Sequence, residues 1–311
     1  MLSTYPDRRR VVAALALLPL AACTGARRQP AEPDFAALER SSGGRVGFAA
    51  LDLASGRSIL HRADERFAMC STFKWLLGAF VLARVSEGYE TLDRRIAYRD
   101  SDLVFRSPVT EQHVGVGLAV GEMCAATIRT SDNTAANLLL QTLGGPEGFT
   151  ARLRALGDAV TRLDRWEPAL NENAPGDPRD TTTPAAMLGL MRRVLFGDVL
   201  NEAARATLRD WMMGTTTGAG RLRAGIPAGW SVGHKTGTSN ADQNNDVGFA
   251  LPPAGITGGP ILIASFLNVP EPGSPAVDGF HADAARAAIR AFGVSLRGRR
   301  PGTLATGSHL A

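Results

Sequence analysis

Apolar and polar positions divide the chain into strand-like ends and a helix-like middle. Phe35 and Leu38 fall on one side of a short helix that Ser41-Ser42-Gly43-Gly44 ends. Residues 45–53 are then almost continuously apolar or small, Ala54-Ser55-Gly56-Arg57 has turn composition, and 58–61 resumes the pattern, which predicts a strand and its hairpin partner. From Ser71 the period changes. Leu76, Leu77, Phe80, Val81 and Val85 recur at three- and four-residue spacing up to Gly88, the signature of a helix. Helical patterns follow over 127–143 (stopped by Gly144-Gly145-Pro146), 147–156, 184–196 and 201–213, with a long polar loop from Arg165 to Pro184 among them. Strand patterns return over 230–236, 246–251 and 261–269, and Ala284, Ala288, Ile289 and Phe292 predict a closing helix over 281–292. Five candidate strands at the chain ends predict an α/β fold. A five-stranded antiparallel sheet is built from both ends and flanked by helices, a mostly helical region is inserted, and a cleft lies between the two regions.

Composition changes this picture only at the termini. The chain has 311 residues, 44% hydrophobic and 21% charged, which is ordinary for a globular protein. Of the net charge of +4, much comes from Arg8-Arg9-Arg10 and from Arg297, Arg299 and Arg300. The body is near neutral, and no nucleic-acid surface is expected. A basic start, an apolar run from Val11 to Leu20 and Ala21-Ala22-Cys23 read as an export signal too short for a stable membrane span. Leu20-Ala21-Ala22-Cys23 resembles a bacterial lipobox, so Cys23 is expected to carry a lipid anchor, by the general or the twin-arginine route. The expected organisation is a signal peptide over 1–22, a tether over 23–34, a catalytic domain over 35–293 and a disordered tail over 294–311. The protein is expected to be a periplasmic monomer, lipid-anchored to the bacterial envelope.

Candidate chemistry begins with lysine usage. Of 34 basic residues only Lys74 and Lys235 are lysine. Arginine stays protonated, whereas a buried lysine can lose its proton. Lys74 belongs to Ser71-x-x-Lys74 at a predicted helix start, where the i+3 spacing puts the ammonium within reach of the serine oxygen. Ser131-Asp132-Asn133 and Lys235-Thr236-Gly237 follow in that order. Together these elements resemble the class A serine β-lactamases, from about Phe35 to Phe292. The loop Arg165-Trp166-Glu167-Pro168-Ala169-Leu170-Asn171, continuing to Asp180, strengthens the resemblance.

The resemblance implies hydrolysis of a β-lactam amide without a cofactor or metal. Ser71 is implied as nucleophile, with Lys74 or Glu167 taking its proton. Ser131 would protonate the departing nitrogen, and the N–H groups of Ser71 and Thr238 would form the oxyanion hole. Asn133 would bind the substrate side chain. Lys235, Thr236, Gly237, Thr238 and Arg221 would line the carboxylate site. Glu167 and Asn171 would hold the deacylating water. Asn137 would bond across to Glu167, Arg165 and Asp180 would close the loop, and Pro168 would follow a cis bond. Arg106, with Phe105 before it, occupies the cleft-wall position where relatives carry an aromatic, and is counted with the substrate-binding residues. The family positions that could pair with Cys70 and Cys124 hold Ser239 and Gly78, so no intramolecular disulfide is expected. Penicillins and early cephalosporins are the expected substrates. A D,D-peptidase and a β-lactam sensor that stays acylated share the nucleophile, but typically lack the Glu167/Asn171 pair.

Two other patterns are weaker. Gly229-Trp230-Ser231-Val232-Gly233 fits a nucleophile elbow, but no helix pattern follows Ser231. His234 reads as an exposed histidine at a strand end, and His281-Ala282-Asp283 is too sparse for a metal site.

Overall fold

The computed structural model describes residues 33–239, 241–256, 258–270 and 274–293. The expected signal peptide, Cys23, nearly all of the tether and the 294–311 tail lie outside the described residues. In chain order the elements are α1 (Phe35–Ser42), β1 (Arg45–Asp52), β2 (Ser58–His61), β3 (Phe67–Ala68), α2 (Lys74–Ser86), β4 (Arg95–Ile96), β5 (Leu118–Ala119), α3 (Val120–Arg129), α4 (Asn133–Thr142) and α5 (Gly145–Ala155). They continue with β6 (Thr181–Thr182), α6 (Pro184–Phe196), α7 (Glu202–Met213), α8 (Leu222–Gly225), β7 (Ser231–Thr238), β8 (Gln243–Leu251), β9 (Ile261–Asn268) and α9 (Pro275–Ala291).

The main sheet has the order β2-β1-β9-β8-β7, with each neighbouring pair antiparallel. The last strand therefore lies between β1 and β8, joining the chain ends as expected. Alternation decides which face each residue takes. Val46, Phe48 and Ala50 of β1 and Ile261, Ile263 and Leu267 of β9 pack towards α1 and α9. Ala49, Leu262, Ala264 and Phe266 face the helical region. Both faces are thus covered. α2 is buried continuously from Lys74 to Leu82, because a helix that is apolar all round is stable only when surrounded. It places Ser71 and Lys74 where the helical region meets the sheet.

Three boundaries differ from the sequence expectations. The helix expected over 127–143 is two helices, broken at Ser131, which has a left-handed φ of 64°. Asp132 caps the second helix by accepting from Ala135 N at 2.8 Å, and its other oxygen takes Val109 N and Thr110 N at 3.0 and 2.9 Å. Apolar periodicity runs through the break because both helices bury a face in the same core. β8 begins at Gln243, earlier than expected, since its polar first residues are paired and buried. α9 begins at Pro275, with Ser274 as its cap.

Candidate active site

Ser71 sits in a 3-10 turn, Cys70–Phe73, that runs directly into α2. The free N–H groups and positive end of that turn and helix favour developing negative charge beside Ser71. Cys70 before it holds a left-handed φ of 46°, a strained conformation for a residue with a side chain. β7 comes so close to this turn that a Cβ at Gly237 would lie 2.6 Å from the Met69 carbonyl oxygen, so the position demands glycine. On the other side Met69 N donates to the Asp180 carbonyl at 2.9 Å.

The predicted chemical groups converge here. Lys74 and Glu167 are buried and lie 3.0 Å apart, Nζ to Oε1. Ser71 Oγ donates to the same Oε1 at 3.3 Å. Lys74 also donates to the Ser131 carbonyl at 2.9 Å, to Ser131 Oγ at 3.4 Å and to Asn133 Oδ1. Lys74 and Ser71 are not hydrogen-bonded to each other among the described residues; both instead reach Glu167 Oε1. Lys235 donates to Ser131 Oγ at 3.0 Å, so this hydroxyl accepts from both lysines and keeps its own proton to give away. Burial lowers the Lys74 pKa, with Glu167 opposing. Burial and the charge of Lys74 push Lys235 well below the ordinary lysine range.

The 165–180 loop is fastened at its neck. Asp180, fully buried, accepts from Arg165 Nε at 2.6 Å and from the main-chain N–H of Asp164 and Arg165 at 2.7 and 3.0 Å. β6, just beyond it, pairs with β3, which precedes Ser71. Asn137 clamps the main chain of Glu167, donating to its carbonyl at 2.9 Å and accepting from its N–H at 3.0 Å. Asn171 Nδ2 donates to Glu167 Oε2 at 2.6 Å. The Glu167–Pro168 bond is cis.

At the far end of β7, Arg221 is buried rather than on the surface. It donates to Thr238 Oγ1 at 2.8 Å, to the Asn245 carbonyl at 2.8 Å and to Asp278 Oδ1 at 2.7 Å. Asn244 Nδ2 donates to that Asp278 oxygen at 3.1 Å, and His281 joins Asn244 Oδ1 to Ser265 Oγ at 2.7 Å on each side. His234 corrects the expectation of an exposed histidine. It is fully buried, with Nδ1 2.9 Å from both oxygens of Asp246. Burial works against the Asp246 carboxylate, but His234 and Arg221 outweigh it and hold the pKa below the usual aspartate value. Asp278, His281, Asn244 and the His234–Asp246 pair were missed from sequence. The one available signal was the polar run Gln243–Asp246 leading into an apolar strand pattern.

His281 makes stability depend on pH. Burial lowers its pKa from 6.5 to about 4, so the folded protein keeps it neutral in a range where the unfolded chain takes up a proton. Its contribution is complete above 6.5 and is lost as pH falls to about 4, in all on the order of 3 kcal/mol. Urea unfolding of the parent should weaken across this window more than that of His281→Gln. Parallel curves would remove His281 from the account.

A cavity of about 870 Å³ exposes the assembly, lined by Ser71, Ser131, Asn133, Asn171, Thr236 and Thr238, together with Arg106 and Arg221. Among the described residues Cys70 and Cys124 are buried and unpaired, and burial pushes both thiols up, out of the reactive range. Among the described residues no three His, Cys, Asp or Glu side chains converge as metal ligands would.

Known proteins resemble this chain in sequence and fold. The model of the β-lactamase enzyme family matches residues 30–293. The β-lactamase FAR-1 of Nocardia farcinica is 50% identical over 264 residues, covering 84% of this chain and 83% of its own. The β-lactamase L2 of Stenotrophomonas maltophilia is 51% identical over 238 residues, covering 76% and 78%. An ancestral class A β-lactamase superposes with a TM-score of 0.80 at 56% identity, over 83% of this chain and 98% of that one. With its sheet joined from both chain ends and its serine, two lysines and loop glutamate gathered in one cleft, the chain belongs to the class A β-lactamase family.

Proposed function

We propose that the protein hydrolyses the strained amide of penicillins and cephalosporins, protecting its host from them, through an acyl-enzyme on Ser71. The observation that carries this is the place of Glu167, whose carboxylate lies 3.3 Å from Ser71 Oγ, 3.0 Å from Lys74 Nζ and 2.6 Å from Asn171 Nδ2. Ser71 Oγ attacks the lactam carbonyl, and its proton passes to Lys74 or Glu167. The oxyanion is met by the N–H groups of Ser71 and Thr238. Ser131 protonates the departing nitrogen and is resupplied from the lysine side. Lys235, Thr236, Thr238 and Arg221 hold the substrate carboxylate, and Asn133 takes the side-chain amide. Glu167 then removes a proton from water held with Asn171, whose Oδ1 is buried and has no partner among the described residues. The hydroxide adds to the acyl carbonyl, the ester bond breaks, and Ser71 leaves with a proton. Export belongs to the same reading, because a hydrolase outside the cytoplasm meets the drug before its cell-wall targets. Lipidation of Cys23 would keep it there.

The test is turnover of a chromogenic cephalosporin by the mature protein. Many product molecules per enzyme are expected. One equivalent of product followed by a stable adduct would instead identify a sensor or a D,D-peptidase.

A further inference from the structure

Arg106 is the exposed cation of the cleft whose role the hydrolysis leaves unassigned. Its backbone is held in place. Arg106 has a left-handed φ of 63°, its carbonyl accepts from Asn133 N at 3.0 Å, and the preceding Phe105 carbonyl accepts from Asn133 Nδ2 at 2.8 Å. A residue with a side chain keeps such a φ only where its surroundings impose it. Its guanidinium therefore leaves a fixed point, adjoining the same Asn133 that meets the substrate side chain. Among the described residues this guanidinium has no hydrogen-bond or ion-pair partner, whereas Arg165 and Arg221, which flank the same site, are each tied to an aspartate. Its charge is felt inside the site, where it adds to the forces that lower the Lys74 pKa.

We propose that Arg106 is a specificity-determining residue that favours β-lactams whose acyl side chain carries a carboxylate, the ring carboxylate being held by Arg221, Thr238 and Lys235. Such a substrate presents two anions, and the cleft offers a cation for each. An arginine fork matches a carboxylate in a way that an aromatic wall cannot. Glu172, exposed on the 165–180 loop and lining the same cavity, is the opposing charge and sets an upper limit to the preference.

The inference rests on the proposed hydrolysis, and the experiment separates the two. The kcat/KM values of benzylpenicillin and of its analogue bearing a carboxylate on the side-chain α carbon are measured for the parent, Arg106→Gln and Arg106→Glu, at low and high salt. The ratio of analogue to benzylpenicillin should drop about fivefold in Arg106→Gln, the scale of one partly exposed ion pair, and further in Arg106→Glu. In the parent the ratio should fall with added salt, and in Arg106→Gln it should not. Glu172→Gln should raise it. A ratio within twofold across the parent and both Arg106 variants, or the same salt dependence in all three, overturns the proposal. Failure of the parent to turn over either penicillin would instead overturn the hydrolysis itself.

Discussion

Glu167→Ala should convert the enzyme into one that binds penicillin covalently and keeps it. Intact-mass measurement after mixing with benzylpenicillin should show one acyl adduct on Ser71 that persists, where the parent returns to its free mass. The loss of a positioned general base slows the affected step by about 10²- to 10⁴-fold, and here that step is attack of water on the ester. The fold should survive the change, with a lower Tm because Lys74 loses its buried partner. The loop is held by Asn137 on the main chain of residue 167 and by Arg165 with Asp180 at the neck, none of which uses the Glu167 carboxylate. The rate at which the adduct forms carries a second result. If it matches the parent, Lys74 takes the Ser71 proton; if it falls with deacylation, Glu167 serves both steps. A variant that turns over like the parent would remove Glu167 from the mechanism.

Lys74→Ala should fail earlier, before any adduct accumulates. Acylation is expected to fall by about 10²- to 10⁴-fold, read as the rate of adduct formation at saturating penicillin. Lys74 Nζ lies 3.0 Å from the Glu167 carboxylate and within hydrogen-bond distance of Ser131 and Asn133, so its removal affects proton acceptance, protonation of the leaving nitrogen and the charge balance of a buried carboxylate at once. Leaving one member of a buried ion pair alone costs about 3–5 kcal/mol, so a lower Tm should accompany the loss. Lys74→Arg separates charge from proton transfer, because arginine keeps the cation but does not release a proton. Acylation by Lys74→Arg within tenfold of the parent would show that the lysine acts by its charge.

Most of the site was legible in the sequence because its parts are local. Ser71 and Lys74 are one helical turn apart, so their spacing gives them a common direction, whereas Glu167 and Asn171, four apart on one loop, were legible only through the family resemblance. Strand positions were legible wherever both sheet faces are apolar, as along β1 and β9. They were lost at Gln243–Asn245, where burial is satisfied by hydrogen bonds instead of hydrocarbon. His234 was misjudged for the same reason: an isolated histidine is polar, and only Asp246, brought opposite by pairing of β7 with β8, makes its burial affordable. The break at Ser131 was invisible because periodicity registers the face a side chain takes, not the φ of a single residue between two helices.

The sequence by itself determined which residue types stand in which short-range arrangements, and hence the family and the kind of chemistry. Tertiary structure alone decided how they meet. Ser131 reaches Lys74 across 57 positions and Lys235 across 104, and Glu167 reaches Ser71 across 96. It also brought Glu167 to both Ser71 and Lys74, buried His234, joined Arg221 to His281 through Asp278 and Asn244, and left Arg106 at the cleft without a partner among the described residues. The physical reason is range. Helical and strand periods couple residues a few positions apart, whereas these contacts arise from strand pairing and core packing, which bring distant segments together only when the whole chain has folded.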